Sequence, residues 1–263
     1  MMSKITIELA EPDDAERLAD ISKRAFDSDE FVGAPGPGGP PGYDSPEHQK
    51  KLIEHPAGDY LKILYEGKIV GGTTVWRISD SHHEIFNVFV DPEYHRKGIG
   101  RESFRLIMEK YPQARRWTLD TPDWNTRTKA YYEQLGFRQY GIFRWVPTFD
   151  LRAYELVLDP EYNIETTKIA DVADNDQKYI IEGTIESISE TRDVFSKKDN
   201  KNQQVAEVIL SDNSGSMKLV LWNEMIPQVK ENELVRVEAA YASTSKDEMQ
   251  LNVSSFGRIV ILQ

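Results

Sequence analysis

The sharpest chemical signal in this chain is VFVDPEYHRKGIGRESFRLIMEKY, residues 88–111, where glycines at 98 and 100 stand between a strand-like run and a helix-like run. Consecutive backbone N–H groups from Arg96 to Arg101 can converge there on an anion. The dipole of the following helix favours negative charge, and the missing Cβ atoms let phosphate oxygens approach closely. A diphosphate is the group such a turn suits. Other chemistry is closed off. The chain has no cysteine, so there is no disulfide, no thiolate zinc site and no cysteine nucleophile. His82 and His83 are adjacent and point to opposite faces of a strand, so they cannot share a metal, and no metal site is expected.

The elements around that turn follow from periodicity. ITIEL reads as a strand and leads into a helix entered at Pro12, with Asp13 and Asp14 in its first turn and Leu18, Ile21, Ala25 and Phe26 on its apolar face. GAPGPGGPPG, residues 33–42, must be a loop and reads as a flap or tether. After a short polar helix around Glu47 to His55, the runs DYLKILYEG, KIVGGTTVWRIS and HEIFNVFVD predict an antiparallel meander. Phe104, Ile107, Met108 and Tyr111 fall at helical spacing in Gly100 to Tyr111, and RRWTLDT then reads as a strand. A helix from about Asn125 to Leu135 precedes two more strands joined near Pro147. The expected organisation is a mixed α/β domain over 1–159, a linker over 160–176 rich in acids, and an all-β domain over 177–263. In the last domain five strand-like runs recur with no long helix, which suggests a small closed barrel.

Composition sets the outer limits. At 263 residues, with 39% hydrophobic and 29% charged residues, two ordinary globular cores are expected. No run approaches the length needed to span a bilayer, and MMSKITIELA lacks an apolar signal core, so a cytoplasmic location and no membrane partner are expected. The net charge is −12, and residues 161–263 carry eleven Lys and Arg against eighteen Asp and Glu. That balance opposes nucleic-acid binding by phosphate neutralisation alone.

The glycine turn resembles the acetyl-CoA-binding motif of the GNAT acetyltransferase superfamily, with His95 where the family usually has Gln or Arg. NTRTKAYYEQLGF, residues 125–137, is similar to that family's later motif, and together the resemblance covers about residues 3–157. It implies an α+β fold with a mostly antiparallel sheet, acetyl-CoA as co-substrate and an amine acceptor of unknown identity. It implies cofactor contacts from Phe89, Val90, His95, Arg96, Lys97, Gly98, Ile99, Gly100 and Arg101, with Asn125 on the pantetheine arm. The Phe89 and Val90 N–H groups would hold the thioester carbonyl at a strand splay, and Tyr132 would protonate the leaving thiolate. Glu84, eleven residues before His95, matches the placement of a catalytic glutamate in histone-acetylating members. The bland alternatives are a core ring for Tyr132 and a solvated strand carboxylate for Glu84. Asp120, Asp123 and Trp124 are candidates for the acceptor pocket.

EGTIESISETRDVFS and LSDNSGSMKLVLWN resemble the OB-fold single-strand-binding domains of archaeal replication protein A. The resemblance implies a five-stranded barrel with Phe195 and Trp222 as stacking platforms for bases, and with Arg192, Lys197, Lys198 and Lys201 along the backbone of single-stranded DNA or RNA. The alternative is a barrel that docks a protein partner. For the whole chain, the reading that competes with an N-acetyltransferase is a single-strand-binding protein whose GNAT domain only senses acyl-CoA.

Overall fold

The computed structural model describes residues 4–146, 149–175, 177–196, 200–245 and 247–262. The chain divides into two compact units, Met1–Arg138 with Tyr154–Tyr162, and Gln139–Ala153 with Asn163–Gln263. The turn expected at Pro147 and the residues Lys197 and Lys198 lie outside the described residues. No helix is long and apolar enough to cross a membrane among the described residues.

The first unit runs β1 (Ile5–Leu9), α1 (Ala15–Asp27), α2 (Pro46–Ile53), β2 (Gly58–Tyr65), β3 (Lys68–Arg77), β4 (His82–Val90), α3 (Ile99–Lys110), β5 (Arg116–Pro122) and α4 (Thr126–Gln134). Strands β2 to β4 form the expected antiparallel meander, β1 pairs antiparallel with β2, and β5 lies parallel to β4. Alternation along the strands feeds packing on both faces of the sheet. Leu61, Val75 and Ile85 pack with Phe104 and Ile107 of α3 and with Tyr132 of α4. Tyr60 and Phe89 pack with Leu18, Ile21 and Ala25 of α1. Glu11 and Asp14 bond reciprocally at the entry to α1, where Pro12 fills the first turn.

One irregularity shapes this unit. In β4, Asn87 adopts a left-handed conformation with φ of 52°, and the pairing with β3 shifts register between Gly72 and Thr74. This is a β-bulge, which bends the strand away from its neighbour. The pairing of β4 with β5 is confined to His82–Arg116, His83–Trp117 and Glu84–Thr118, after which the two strands part. On the other side β3 stays close. A Cβ on Gly71 would lie 2.3 Å from the Phe89 carbonyl oxygen, so only glycine lets β3 follow the bulged strand.

The Pro/Gly loop is not a free tether at its far end. The Tyr43 hydroxyl donates to Asp27 at 2.8 Å and its ring packs edge-on against Phe26, both in the last turn of α1. Ser45 then caps α2 by accepting from the His48 N–H.

In the second unit, β8 (Tyr179–Ile188), β10 (Lys201–Asp212), β11 (Gly215–Trp222), β13 (Glu248–Leu262) and β12 (Leu234–Ser245) close a barrel in that order, with β12 returning to β8. All neighbours are antiparallel except β11 with β13. These are the five expected strands. A short extra strand, β9 (Arg192–Ser196), pairs with the start of β10. Val208, Leu210, Leu219, Leu221 and Leu251 fill the interior. Ile169 and Val172, within the segment expected as linker, are buried in this core. Part of β6 (Arg138–Val146) and of β7 (Phe149–Val157) also belongs here: Ile142 pairs with Ile261, and Arg144 forms an ion pair with Glu233 at 2.8 Å.

The close approach at Gly71 generates a stability prediction. Gly71→Val should cost about 1–3 kcal/mol through overpacking against a backbone carbonyl. Gly36→Ala, where a Cβ meets nothing within 4 Å, should change stability by no more than about 0.5 kcal/mol. Urea denaturation of the two variants checks the contrast.

Candidate active site and nucleic-acid interface

Where β4 and β5 part, the chain leaves β4 through Asp91 and turns into α3. Asp91 is 1% exposed; its carboxylate accepts from the Glu93 N–H and is paired with Arg24 of α1 at 2.8 Å, which locks the turn onto the helix below. His95 follows, and its Nε2 lies 2.8 Å from the Val90 carbonyl. Its ring thus closes the strand end instead of reaching into the glycine turn. Arg96 and Gly98 both adopt left-handed backbone, with φ of 60° and 77°, and Gly98 is the N-cap of α3. The first bond into the helix runs from the Glu102 N–H to the Gly98 carbonyl at 3.1 Å. The N–H groups ahead of it have no helical carbonyl to meet. A Cβ on Gly98 would meet nothing within 4 Å, so the turn faces open space, and Arg96, Lys97 and Arg101 are all exposed around it. Lys97 rests over the Tyr94 ring at 4.4 Å. Ile99, by contrast, is buried and anchors the turn to β2 and β3 through Ile63 and Val70.

The other expected residues flank the fork. Glu84 occupies the last position at which β4 still pairs with β5, level with Trp76 and Thr118. Tyr132 is 6% exposed and packs with Ile85, Phe104, Phe137 and Tyr154 on the opposite face of the sheet. Burial holds its hydroxyl well above the ordinary tyrosine range, so it stays protonated. The Phe89 side chain belongs to the α1 core, and both Phe89 and Val90 pair with the glycines of β3 through their main chain. His82 bonds Thr118 through Nε2 at 2.9 Å, while His83 lies buried between Tyr111 and Trp117.

Asn125 is 1% exposed and is the N-cap of α4, accepting from the Thr128 N–H at 3.1 Å. Its amide donates to Asp29 at 3.1 Å, and Arg127 also binds that carboxylate. Asp29 comes from the short helical turn Ser28–Val32 and is a residue the sequence did not single out. Desolvation by burial raises its pKa, outweighing Arg127, His95 and the Asn125 hydrogen bond, all of which act to lower it. Nothing in the run FDSDEF distinguishes Asp29 from Asp27 or Glu30; only the fold sets it against α4. Next to it, Gly33 abuts the Trp124 carbonyl, so the segment after α1 meets the segment containing Asp123 and Trp124.

On the barrel, Trp222 is 38% and Phe195 57% exposed. Register separates them. Trp222 is level with Val205, which is level with Arg192, whereas Phe195 is level with Asn202. Positions 202 and 205 point to opposite faces of β10, so the two rings do not form one platform. Around Trp222 the cations are already paired: Arg192 with Glu207 at 2.6 Å, and Lys218 with Glu207 at 3.2 Å and with Glu248 at 3.1 Å. The Lys218 hydrogen bond is the chief cause that lowers the Glu207 pKa. Lys201 is exposed at the start of β10.

Comparison with known proteins agrees with both halves. Residues 18–137 match the model of the acetyltransferase (GNAT) family, and residues 165–261 match that of the single-stranded DNA binding protein Ssb-like OB fold. The uncharacterized protein YrkN of Bacillus subtilis is 36% identical over 84 residues, covering 31% of this chain and 45% of that protein. The [ribosomal protein bS18]-alanine N-acetyltransferase of Escherichia coli is 36% identical over 119 residues, 43% of this chain and 79% of that enzyme. The single-stranded DNA binding protein Ssb of Saccharolobus solfataricus is 28% identical over 92 residues, 35% of this chain and 61% of that protein. The chain thus spans less than two thirds of the length of YrkN and of Ssb. With the glycine turn at the mouth of a parted β4–β5 pair in one unit and a closed five-stranded barrel in the other, the chain belongs to the GNAT acetyltransferase family, and it carries an Ssb-like OB fold after the GNAT domain.

Proposed function

We propose that the first unit transfers the acetyl group of acetyl-CoA to a primary amine by direct attack on the thioester. The observation that carries this reading is the fork between β4 and β5 with an open N–H array at its mouth. The residues fit the co-substrate: the turn from Arg96 to Arg101 has uncommitted N–H groups, open space over Gly98 and three exposed cations for a diphosphate. When bound, acetyl-CoA supplies an activated acyl group and a thiolate leaving group. Phe89 and Val90 are the main-chain candidates to orient the carbonyl oxygen. Tyr132, held protonated by burial, is a proton donor to the departing sulfur, and Glu84 at the root of the fork is a base for the amine proton. They flank the fork from opposite faces, which suits an amine arriving on one side and a thiol leaving on the other.

The acceptor we propose is the α-amine at the N-terminus of a protein, which fits the Escherichia coli relative named as an alanine N-acetyltransferase of ribosomal protein bS18. Asp29 and the segment around Trp124 are the candidates to receive it, with Asp120 and Asp123 nearby in sequence. For the barrel we propose single-strand binding through Trp222, with stacking as its main contribution. Because Arg192 and Lys218 are already neutralised by Glu207 and Glu248, few counterions would be released on binding.

Calorimetric titration with acetyl-CoA should give micromolar binding, abolished when Gly98 and Gly100 are both replaced by valine; retained binding in that variant would remove the cradle from the mechanism. Tyr132→Phe should lower kcat on a peptide with a free α-amine by about 10²–10⁴ with KM little changed. For the barrel, Trp222→Ala should weaken binding to a labelled oligothymidine by about 1–3 kcal/mol. The slope of log affinity against log salt should be shallow, and a steep slope in anisotropy titrations would instead assign the binding to phosphate contacts.

A further inference from the structure

Tyr131, the neighbour of Tyr132, has a role that neither the core nor the proposed proton transfer explains. The two side chains leave α4 about 100° apart. Tyr132 enters the interior, while Tyr131 is only partly buried at the edge of the same core. Its ring packs edge-on against Phe104 of α3 at 5.8 Å and tilted against Tyr132 at 5.3 Å. The hydroxyl ends against the glycine turn: a Cβ on Gly100 would lie 2.8 Å from it. That oxygen is buried and has no hydrogen-bond partner. An unsatisfied buried hydroxyl is costly and calls for an explanation. The Tyr131 ring would fill its space equally well as phenylalanine, so packing does not supply one.

Three features of its surroundings point to one kind of ligand. Gly100 lies in the first turn of α3, where the backbone N–H groups have no helical carbonyl, so the hydroxyl stands beside a row of donors that wants an anion. Burial raises the Tyr131 pKa, so the group stays a neutral donor and adds an O–H to that row. The cations nearest in sequence, Arg96, Lys97 and Arg101, are exposed and would reach the anion from the solvent side, leaving the buried side to Tyr131. We infer that the Tyr131 hydroxyl donates a hydrogen bond to the diphosphate of a CoA molecule bound at the glycine turn. This rests on the acetyl-CoA reading above. The bond would give the orphaned oxygen its partner only in the bound state, and so make a single O–H count toward affinity without contributing to the stability of the free protein.

Tyr131→Phe in the full chain tests this, titrated calorimetrically with CoA and with adenosine 3′-phosphate 5′-diphosphate, which keeps the diphosphate and lacks the pantetheine arm. The dissociation constants of both ligands should rise about tenfold, as for loss of a hydrogen bond to a charged group. The Tm of the ligand-free variant should be equal to or above that of the parent, because the change removes an unsatisfied buried group. Unchanged affinity for both ligands overturns the inference. So does a loss confined to CoA, which would move the contact to the pantetheine arm, and so does a lowered ligand-free Tm, which would make the hydroxyl a structural group. If the parent protein binds neither ligand, the acetyl-CoA reading itself falls; if it binds both and Tyr131→Phe binds them equally well, only the role of Tyr131 does.

Discussion

The first unit depends on one constraint: β4 has to leave β5 while staying paired with β3. Strands that stay in register would seal the sheet with hydrogen bonds and leave no main-chain groups for a substrate. The left-handed Asn87 inserts the bulge, and Gly71 lets β3 stay in contact where any Cβ would meet the Phe89 carbonyl. Everything proposed for catalysis is arranged about the resulting fork. Glu84 sits at its root, Phe89 and Val90 line the arm that bends away, and the glycine turn opens at its tip. Bulges beside active sites are common because they re-aim main-chain and side-chain groups without disturbing the packed faces of the sheet.

The two units handle positive charge in opposite ways. In an acidic chain, the turn at Arg96 to Arg101 gathers three exposed cations beside uncommitted N–H groups. On the outer face of the barrel, Arg192 and Lys218 are instead held by Glu207 and Glu248. Exposed pairs of this kind contribute little to stability, but they do cancel the local field that would draw in a polyanion. An aromatic ring keeps its π-face whatever the neighbouring charges do, which is why Trp222 remains the main candidate contact on that surface.

Position in α4 links several groups that are far apart in sequence. Asn125 both caps the helix and holds Asp29, and Arg127 two residues later holds the same carboxylate. The segment after α1 is thereby fastened to the helix that carries Tyr131 and Tyr132.

The pattern of apolar residues was enough to read most of this fold, because periods of 2 and 3.6 are imposed locally by the backbone. The three-strand meander, the stripe of Phe104, Ile107 and Tyr111, and the five barrel strands all appear where their periodicity puts them. The glycine turn was equally legible, since Gly98 and Gly100 are demanded by backbone geometry and close approach. The rest depends on pairs of residues far apart in the chain. Asn125 reads as a cofactor contact, yet its amide and carbonyl are committed to Asp29 and Thr128. Phe195 and Trp222 both read as stacking platforms, and only the register of β9, β10 and β11 reveals that they lie on different faces. Tyr131 carries no mark of its own in the sequence; the packing of α4 against α3 sets its hydroxyl beside Gly100. The sequence by itself therefore determined the elements and the glycine turn, whose causes lie within a few residues. Only the tertiary structure decided which side chains face the fork and which are spent on holding it together, because long-range packing and strand register leave no local trace in the order of residues.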